Sequence, residues 1–517
     1  MKKQIKPLTR GHQIKTRDKK VETATQTFRM TTKIPAGIAI PDKFESRIGT
    51  LNFFDGFPHS ATVEKLYDNL DFQRAVQAYL LGLAPVSQYA NRKGMLEFGP
   101  ANLTVPIFED IMNARSLFLT PNNSTPYTWF WLDLKNGPLV MEIPPRVLGL
   151  IDDMWYKFVT DLGFMGPDKG EGGKYLLLPP NYKGEIPNDY FVVHNPTYSI
   201  WVAWRTFLVN GDTKPEVDNV KKLTKIYPLS RKGNPPSLDF VNVSDKDFNS
   251  IAPADYTFWE YLDKVVQEEP TETVDPITLG FWASIGIRKG QPFNPDERMK
   301  KILEEAALVG DATARVVSYR SREKDAYFYS NSAWCNPMNA SGYTFEKDGV
   351  SLLDMNTFFF FYATGVTPAM DSKVVGQGSQ YMAAFVDSKG KVLDGGKNYK
   401  LHLPPNIPVA NFWSVILYDN QTRSMLQNDQ KWPAVTSQSE KTLVNADGSV
   451  DIYFGPEAPK GKENNWVQTI PGKGWNTLLR IYGPLQPWFD KTWRPGEIEE
   501  VKQSSVDYYR SKKLARS

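Results

Sequence analysis

"TPNNSTPYTWFWLDLKNGPLVMEIPP", residues 120–145, decides the fold, because its features return in "SQYMAAFVDSKGKVLDGGKNYKLHLPP", residues 379–405. In each stretch a tyrosine is followed six residues later by an aspartate, Tyr127 by Asp133 and Tyr381 by Asp387. Each also runs through aromatic and β-branched residues to a Pro-Pro, the texture of strands broken by turns. The echo continues downstream: Met154-Trp155, with Asp161 six after the Trp, matches Phe412-Trp413 with Asp419. "KYLLLPPNYKGEIPNDYFVV" (174–193) matches "VDIYFGPEAPKGKENNWVQT" (450–469), and Arg205 in "WVAWRTF" lines up with Arg480 in "NTLLRIY". Several anchors in one order predict an internal duplication. The expected fold is mainly β with helical segments: two jelly-roll-like antiparallel β-sandwiches separated by a helical insert.

Outward from these repeats the chain divides into a basic flexible tail (1–30), a helical lead-in with the first sandwich (31–212), a helical insert and connection (213–374), the second sandwich (375–500) and a C-terminal tail (501–517). In the lead-in, Val63, Leu66, Tyr67, Leu70, Val76, Tyr79 and Leu80 recur at helical spacing. They predict a core-facing helix capped by Ser60 and ended at Leu83, before Pro85. Met299, Ile302, Leu303, Ala306, Val309 and Ala312 form one apolar helix face in the insert.

The 517 residues carry a formal charge of +3, but eight Lys/Arg sit in the first 20 positions and four more after Tyr509. Without these ends the body is acidic by about eight charges, so no nucleic-acid partner is expected. One cysteine, Cys335, excludes an intrachain disulfide and a thiolate metal cluster. Four histidines make a His-rich metal centre improbable in number alone, and no nucleotide-cofactor motif is present. No apolar run reaches transmembrane length, and residues 1–30 hold no signal-peptide core. A cytoplasmic location is expected from these features.

"GPDKGEGGKYLLLPPNYKG" and "WVAWRTF", with the opening stretch, resemble the family catalogued as domain of unknown function 1254. "GVTPAM", "FWSVILYDNQTRSMLQ" and "RIYGPLQPWFDKTW", with residues 378–405, are similar to its usual companion, domain of unknown function 1214. The resemblance covers about residues 50–500 and implies tandem β-sandwiches with a helical segment, in proteins mostly bacterial. It supplies no agreed reaction. Such relatives are often exported, which makes the periplasm the alternative compartment.

Residues present in one copy alone carry the functional suspicion. Asn122, Asn123, Ser124 and Thr125 have Gly376-Gln377-Gly378-Ser379 in the matching place, and amides at the end of a sandwich orient ligand hydroxyls or carbonyls. In "LIDDMWYKFVTD", Asp153 and Asp161 are eight apart, which in one strand puts them on one face. With Arg205 they are expected to form an acid–base cluster, Tyr127 or Tyr381 donating the proton. His194, without a counterpart in the second copy, is the general-base candidate. The glycine-rich "GPDKGEGGKY" offers Asp168 and Glu171 as ligands for Ca²⁺ or Mg²⁺, and Lys174 as a substrate contact.

The leading expectation is a hydrolase or lyase acting on a small or extended organic substrate, in a cleft between the sandwiches and the insert. The alternatives are a non-catalytic protein binding a small molecule or a glycan through exposed tryptophans, and a structural subunit assembling as a homo-oligomer through sheet edges.

Overall fold

The computed structural model describes residues 29–371 and 373–501. The basic tail up to residue 28 and the C-terminal tail from 502 lie outside the described residues. The chain is mostly β, with eight α-helices and several multi-stranded sheets, none closed, among the described residues.

Chain order gives helix α1 (Ser60–Leu96) and strands β1 (Thr104–Ile107), β2 (Tyr127–Asp133), β3 (Leu139–Ile143), β4 (Leu148–Asp153), β5 (Phe158–Gly163), β6 (Gly173–Leu178), β7 (Phe191–His194) and β8 (Ser199–Arg205). Strands β9 (Lys225–Pro228) and β10 (Asp239–Asn242) follow, then helices α2 (Thr257–Glu268), α3 (Glu297–Tyr319) and α4 (Leu353–Tyr362). The second β region contains β11 (Ser379–Ala384), β12 (Tyr399–Leu403), β13 (Val409–Asp419), β14 (Ala434–Thr436), β15 (Val450–Gly455), β16 (Trp466–Gln468), β17 (Trp475–Pro484) and β18 (Glu499–Glu500).

The two regions share a wiring. The first has a six-stranded sheet, β10-β1-β2-β8-β4-β5, and a four-stranded sheet, β7-β6-β3-β9; the second has β11-β17-β13-β14 and β16-β15-β12-β18. In both four-stranded sheets of the second pattern the Pro-Pro strand (β3 or β12) pairs antiparallel with its neighbour, which then takes a parallel edge strand. Tyr127 stands opposite Arg205, and Tyr381 opposite Arg480. The register corrects one anchor, however. Arg205 faces Leu148 and Arg480 faces Ser414, so five residues on it is Asp153, not Asp161, that corresponds to Asp419. Strand β13 runs unbroken to Asp419, whereas a turn with Tyr156 at positive φ separates β4 from β5; the local likeness of the two tryptophans misled. The chain also returns to the first unit beyond residue 212, since β9 joins β3 and β10 joins β1.

Alternation along the strands places the cores. Phe130 and Leu132 of β2 and Ile200, Val202 and Trp204 of β8 share a core with Leu139, Met141, Tyr175 and Leu177 of the facing sheet. The opposite faces, Trp129 and Trp131 with Trp201 and Ala203, enter a second core built with the helices. Ala383, Ile416, Tyr418 and Leu478 of the second unit enter that same core, so the two β regions meet across it. Helix α1 runs beyond the expected stop at Leu83, through Pro85, and Ser60 is its first turn rather than its cap. Ala75, Ala78, Tyr79, Leu83 and Val86 are buried in this core, and packing against α2 and α3 offsets the lost backbone hydrogen bond. The Phe358–Phe361 run is a buried turn of α4. No described helix is long and apolar enough to cross a membrane.

Candidate functional site

A cavity of ≈190 Å³ lies in the core that joins the two β regions. Equivalent strands deliver its polar groups: Tyr127 and Arg205 from the first unit, Tyr381 and Arg480 from the second. Phe118, Trp129, Trp201, Met338, Phe359 and Leu478 give it an apolar wall, and Asp161 completes the charged set. Trp129 anchors this wall, its ring 4.2 Å from Phe118 and 4.4 Å from Tyr127 between centroids.

The opening loop positions Tyr127. The Asn122 Oδ1 accepts from the backbone N–H groups of Ser124 and Thr125, at 2.8 and 3.1 Å, and from the Thr125 hydroxyl. This closes the turn and aims the Asn122 amide, which donates to the Tyr127 hydroxyl. Burial pushes the Tyr127 phenol up to about 12, with Arg480 and Arg205 pulling the other way, so near pH 7 it remains a neutral donor. Asn122 and Thr125 therefore support the cavity from behind it. Asn123 is held off the wall, its Oδ1 buried without a partner.

Arg205 donates to the Ser379 hydroxyl of the other unit at 2.8 Å and lies over the Tyr482 ring. Arg480 is buried and donates to the Tyr418 hydroxyl and to the Thr120 carbonyl. Neither guanidinium has a carboxylate partner among the described residues. Burial opposes the Arg480 charge; the phenols of Tyr418, Tyr482, Tyr381 and Tyr127 favour it once they ionise. Phenols are neutral near pH 7, so the charge has no counterion there.

The predicted acid–base cluster comes together in part: Asp161, Arg205, Tyr127 and Tyr381 line the cavity, whereas Asp153 and His194 do not. Asp161 stands opposite Leu150 on β5 and lines the cavity, its carboxylate accepting from the Thr367 hydroxyl. Asp153 instead closes the β4–β5 turn, accepting from Trp155 N–H and Lys157 N–H at 2.8 Å. The turn inverts the chain, so the eight-residue spacing does not put them on one face. His194 is exposed at the end of an edge strand of the other sheet, outside the cavity, as is the exposed Lys174. Asp168 is a loop staple: its carboxylate accepts from Gly163 N–H, Gly172 N–H and the Tyr175 hydroxyl. Glu171 is exposed, and no described group of three or more His, Cys, Asp or Glu is placed to hold a metal. The pair thus lacks the donor set a Ca²⁺ or Mg²⁺ site needs.

Burial pushes Asp161 up to about 6 and Asp153 up to about 7, hydrogen bonds opposing in both. Both folded values exceed the unfolded value near 4, so their stabilising contribution is complete below that pH and is lost as pH rises through about 6 and about 7. The melting temperature should therefore fall between pH 5 and pH 8. Asp161→Asn and Asp153→Asn should each flatten that fall, which a scanning series at four pH values would read. A profile unchanged by both substitutions would contradict this assignment.

Gly149 on β4 lets β4 and β8 pair closely beside the cavity. A Cβ there would stand 2.5 Å from the Ala203 carbonyl and from Trp204 Cβ on the paired strand. Gly149→Ala should cost about 1–3 kcal/mol, read as a shifted denaturant midpoint with unchanged slope.

Arg480 lies outside the expected site because the suspicion falls on unduplicated residues; the recurrence of Tyr127–Arg205 as Tyr381–Arg480 is what brings both pairs to one cavity. The wall from Cys335 to Met338 and from Phe359 to Thr367 carried no chemical signal in sequence, since apolar lining and apolar core read alike.

Residues 104–228 match the family described as "Protein of unknown function (DUF1254)" and residues 378–486 match "Protein of unknown function (DUF1214)". The chain carries that tandem. No curated protein matches it. Among solved structures it is similar to the VPA0106 protein of Vibrio parahaemolyticus, at 19% identity and a TM-score of 0.51, covering 84% of this chain and 100% of that one. That likeness concerns the fold. A putative uncharacterised protein of Burkholderia cenocepacia aligns at 14% identity and a TM-score of 0.37, over 86% of this chain and 97% of that one.

Proposed function

We propose that the chain binds a small, largely apolar organic ligand in the cavity where its two β units, two copies of one jelly-roll-like sandwich, meet. The observation that supports this is the convergence of two equivalent Tyr–Arg pairs on one largely apolar pocket. A few placed polar groups in an apolar cavity are the usual composition of a small-molecule site. Glycan stacking has less support: 12 of the 14 tryptophans are buried, and Trp432 is the exposed one. Turnover, hydrolytic or lyase-like, is the second reading, and Asp161 favours it, since a carboxyl titrating near 6 exchanges protons readily at neutral pH.

Tryptophan fluorescence tests the binding reading, because Trp129 and Trp201 line the cavity. Titration with toluene, indole and benzyl alcohol should give a saturable change for at least one of them. Met338→Phe, which fills the space, should abolish it while leaving the melting temperature within a few degrees. No saturable change with any probe, or equal binding by the filled variant, would refute the reading.

A further inference from the structure

Resting on that cavity reading, we infer that the ligand is a small aromatic monocarboxylate, held through its carboxylate by Arg205 and Arg480 with its ring against the Phe118, Trp129 and Trp201 wall.

Charge comes first. The ionisable side chains that line the cavity with a charge near pH 7 are Asp161, Arg205 and Arg480, a net charge of +1 that a monoanion matches. A buried guanidinium without an acid is costly, and such positions are usually completed by a partner. Here the protein supplies hydroxyls and a carbonyl instead. Arg205 spends one Nη2 bond on Ser379, and the Arg480 bonds use Nε and Nη2, so each fork keeps an Nη1 group without an acceptor among the described residues. The planar fork suits a carboxylate, which takes two parallel N–H donors. The Tyr127 hydroxyl, which accepts from Asn122, retains its own proton for a third bond.

Size and shape narrow the class. A dry 150 Å³ cavity in an engineered lysozyme accommodates benzene. At ≈190 Å³, this one has room for such a ring and one carboxylate. Phe118 and Trp129 stack at 4.2 Å with 26° between planes, and Trp201 meets Trp129 nearly edge-on at 67°, a corner of ring faces and edges. Flat aromatic guests pack well in such a corner. Asp161 sets the pH response, since neutralising it removes the one like charge facing the anion.

Calorimetric titration of the full chain with benzoate, benzamide and benzyl alcohol at pH 8 decides the matter. Benzoate should bind about tenfold or more tighter than either neutral analogue. Arg205→Met should bring benzoate to parity with them, and Arg205→Lys should recover only part of the preference. Benzoate should also tighten from pH 8 to pH 5.5, and that gain should vanish in Asp161→Asn. Equal binding of all three compounds by the unmodified protein would overturn the carboxylate inference and leave the cavity reading standing. Failure of all three to bind would overturn both. The comparison on unmodified protein needs no variant to fold.

Discussion

Trp201→Ala should destabilise the protein by about 3–5 kcal/mol, the cost of truncating a fully packed aromatic. Trp201 is buried on β8, opposite Trp131 of β2 on one side and Asp152 of β4 on the other. Its ring meets Trp129 at 6.1 Å, Tyr156 at 6.1 Å and Phe118 at 6.4 Å, so its removal leaves three aromatics facing a void. The void would open into the cavity that Trp201 already lines. Loss of stability should thus come with weaker selection by size, larger rings binding where the unmodified protein excludes them. Chemical denaturation followed by circular dichroism measures the first effect, and titration with naphthalene carboxylates the second. A cost below about 1 kcal/mol would mean that this core is not packed as described.

Asp168→Ala should cost about 3 kcal/mol and should change no response to divalent cations. The buried carboxylate gathers two backbone N–H groups and a phenol, and its deletion leaves these donors without an acceptor in a space closed to water. Tyr175, with its ring buried on β6, reports the same contact: burial and the Asp168 carboxylate both push its phenol far above its ordinary value. This side chain ties the two ends of the loop from Gly163 to Gly173, and local proteolysis should increase there in the variant. A cation-binding role predicts the opposite pattern, stabilisation by Ca²⁺ or Mg²⁺ lost in Asp168→Ala with little change in the cation-free protein. Melting curves with and without each cation, for both proteins, separate the two.

The shared strand wiring of the two β regions was legible because strand pairing is written in short local patterns: a Tyr six residues before an Asp, a run ending on Pro-Pro, an Arg near the end of a strand. Those anchors recovered the opposed Tyr127–Arg205 and Tyr381–Arg480 pairs. What failed were inferences that needed the path of the chain between anchors. Asp153 and Asp161 were assigned one strand, but the positive-φ turn at Tyr156 reverses the chain between them. Local signals end helix α1 at Leu83, before Pro85, and tertiary packing carries it thirteen residues further, to Leu96. His194 looked functional because it was unduplicated, yet it sits on an exposed strand end. Functional suspicion rests on residues present in one copy alone. In this chain the recurrent residues are also the ones that two equivalent units bring face to face, a relation that is set by how the units pack and is absent from either unit alone.

The central claim is that the space between the units is a ligand site, and locating a bound molecule tests it most directly. A crystal of the protein soaked with 4-bromobenzoate would place the bromine by anomalous scattering. The account predicts a single strong peak within the cavity, on the Phe118, Trp129 and Trp201 side, with the carboxylate turned toward Arg205 and Arg480. A peak elsewhere on the molecule, or a cavity found closed by its own side chains, would contradict it.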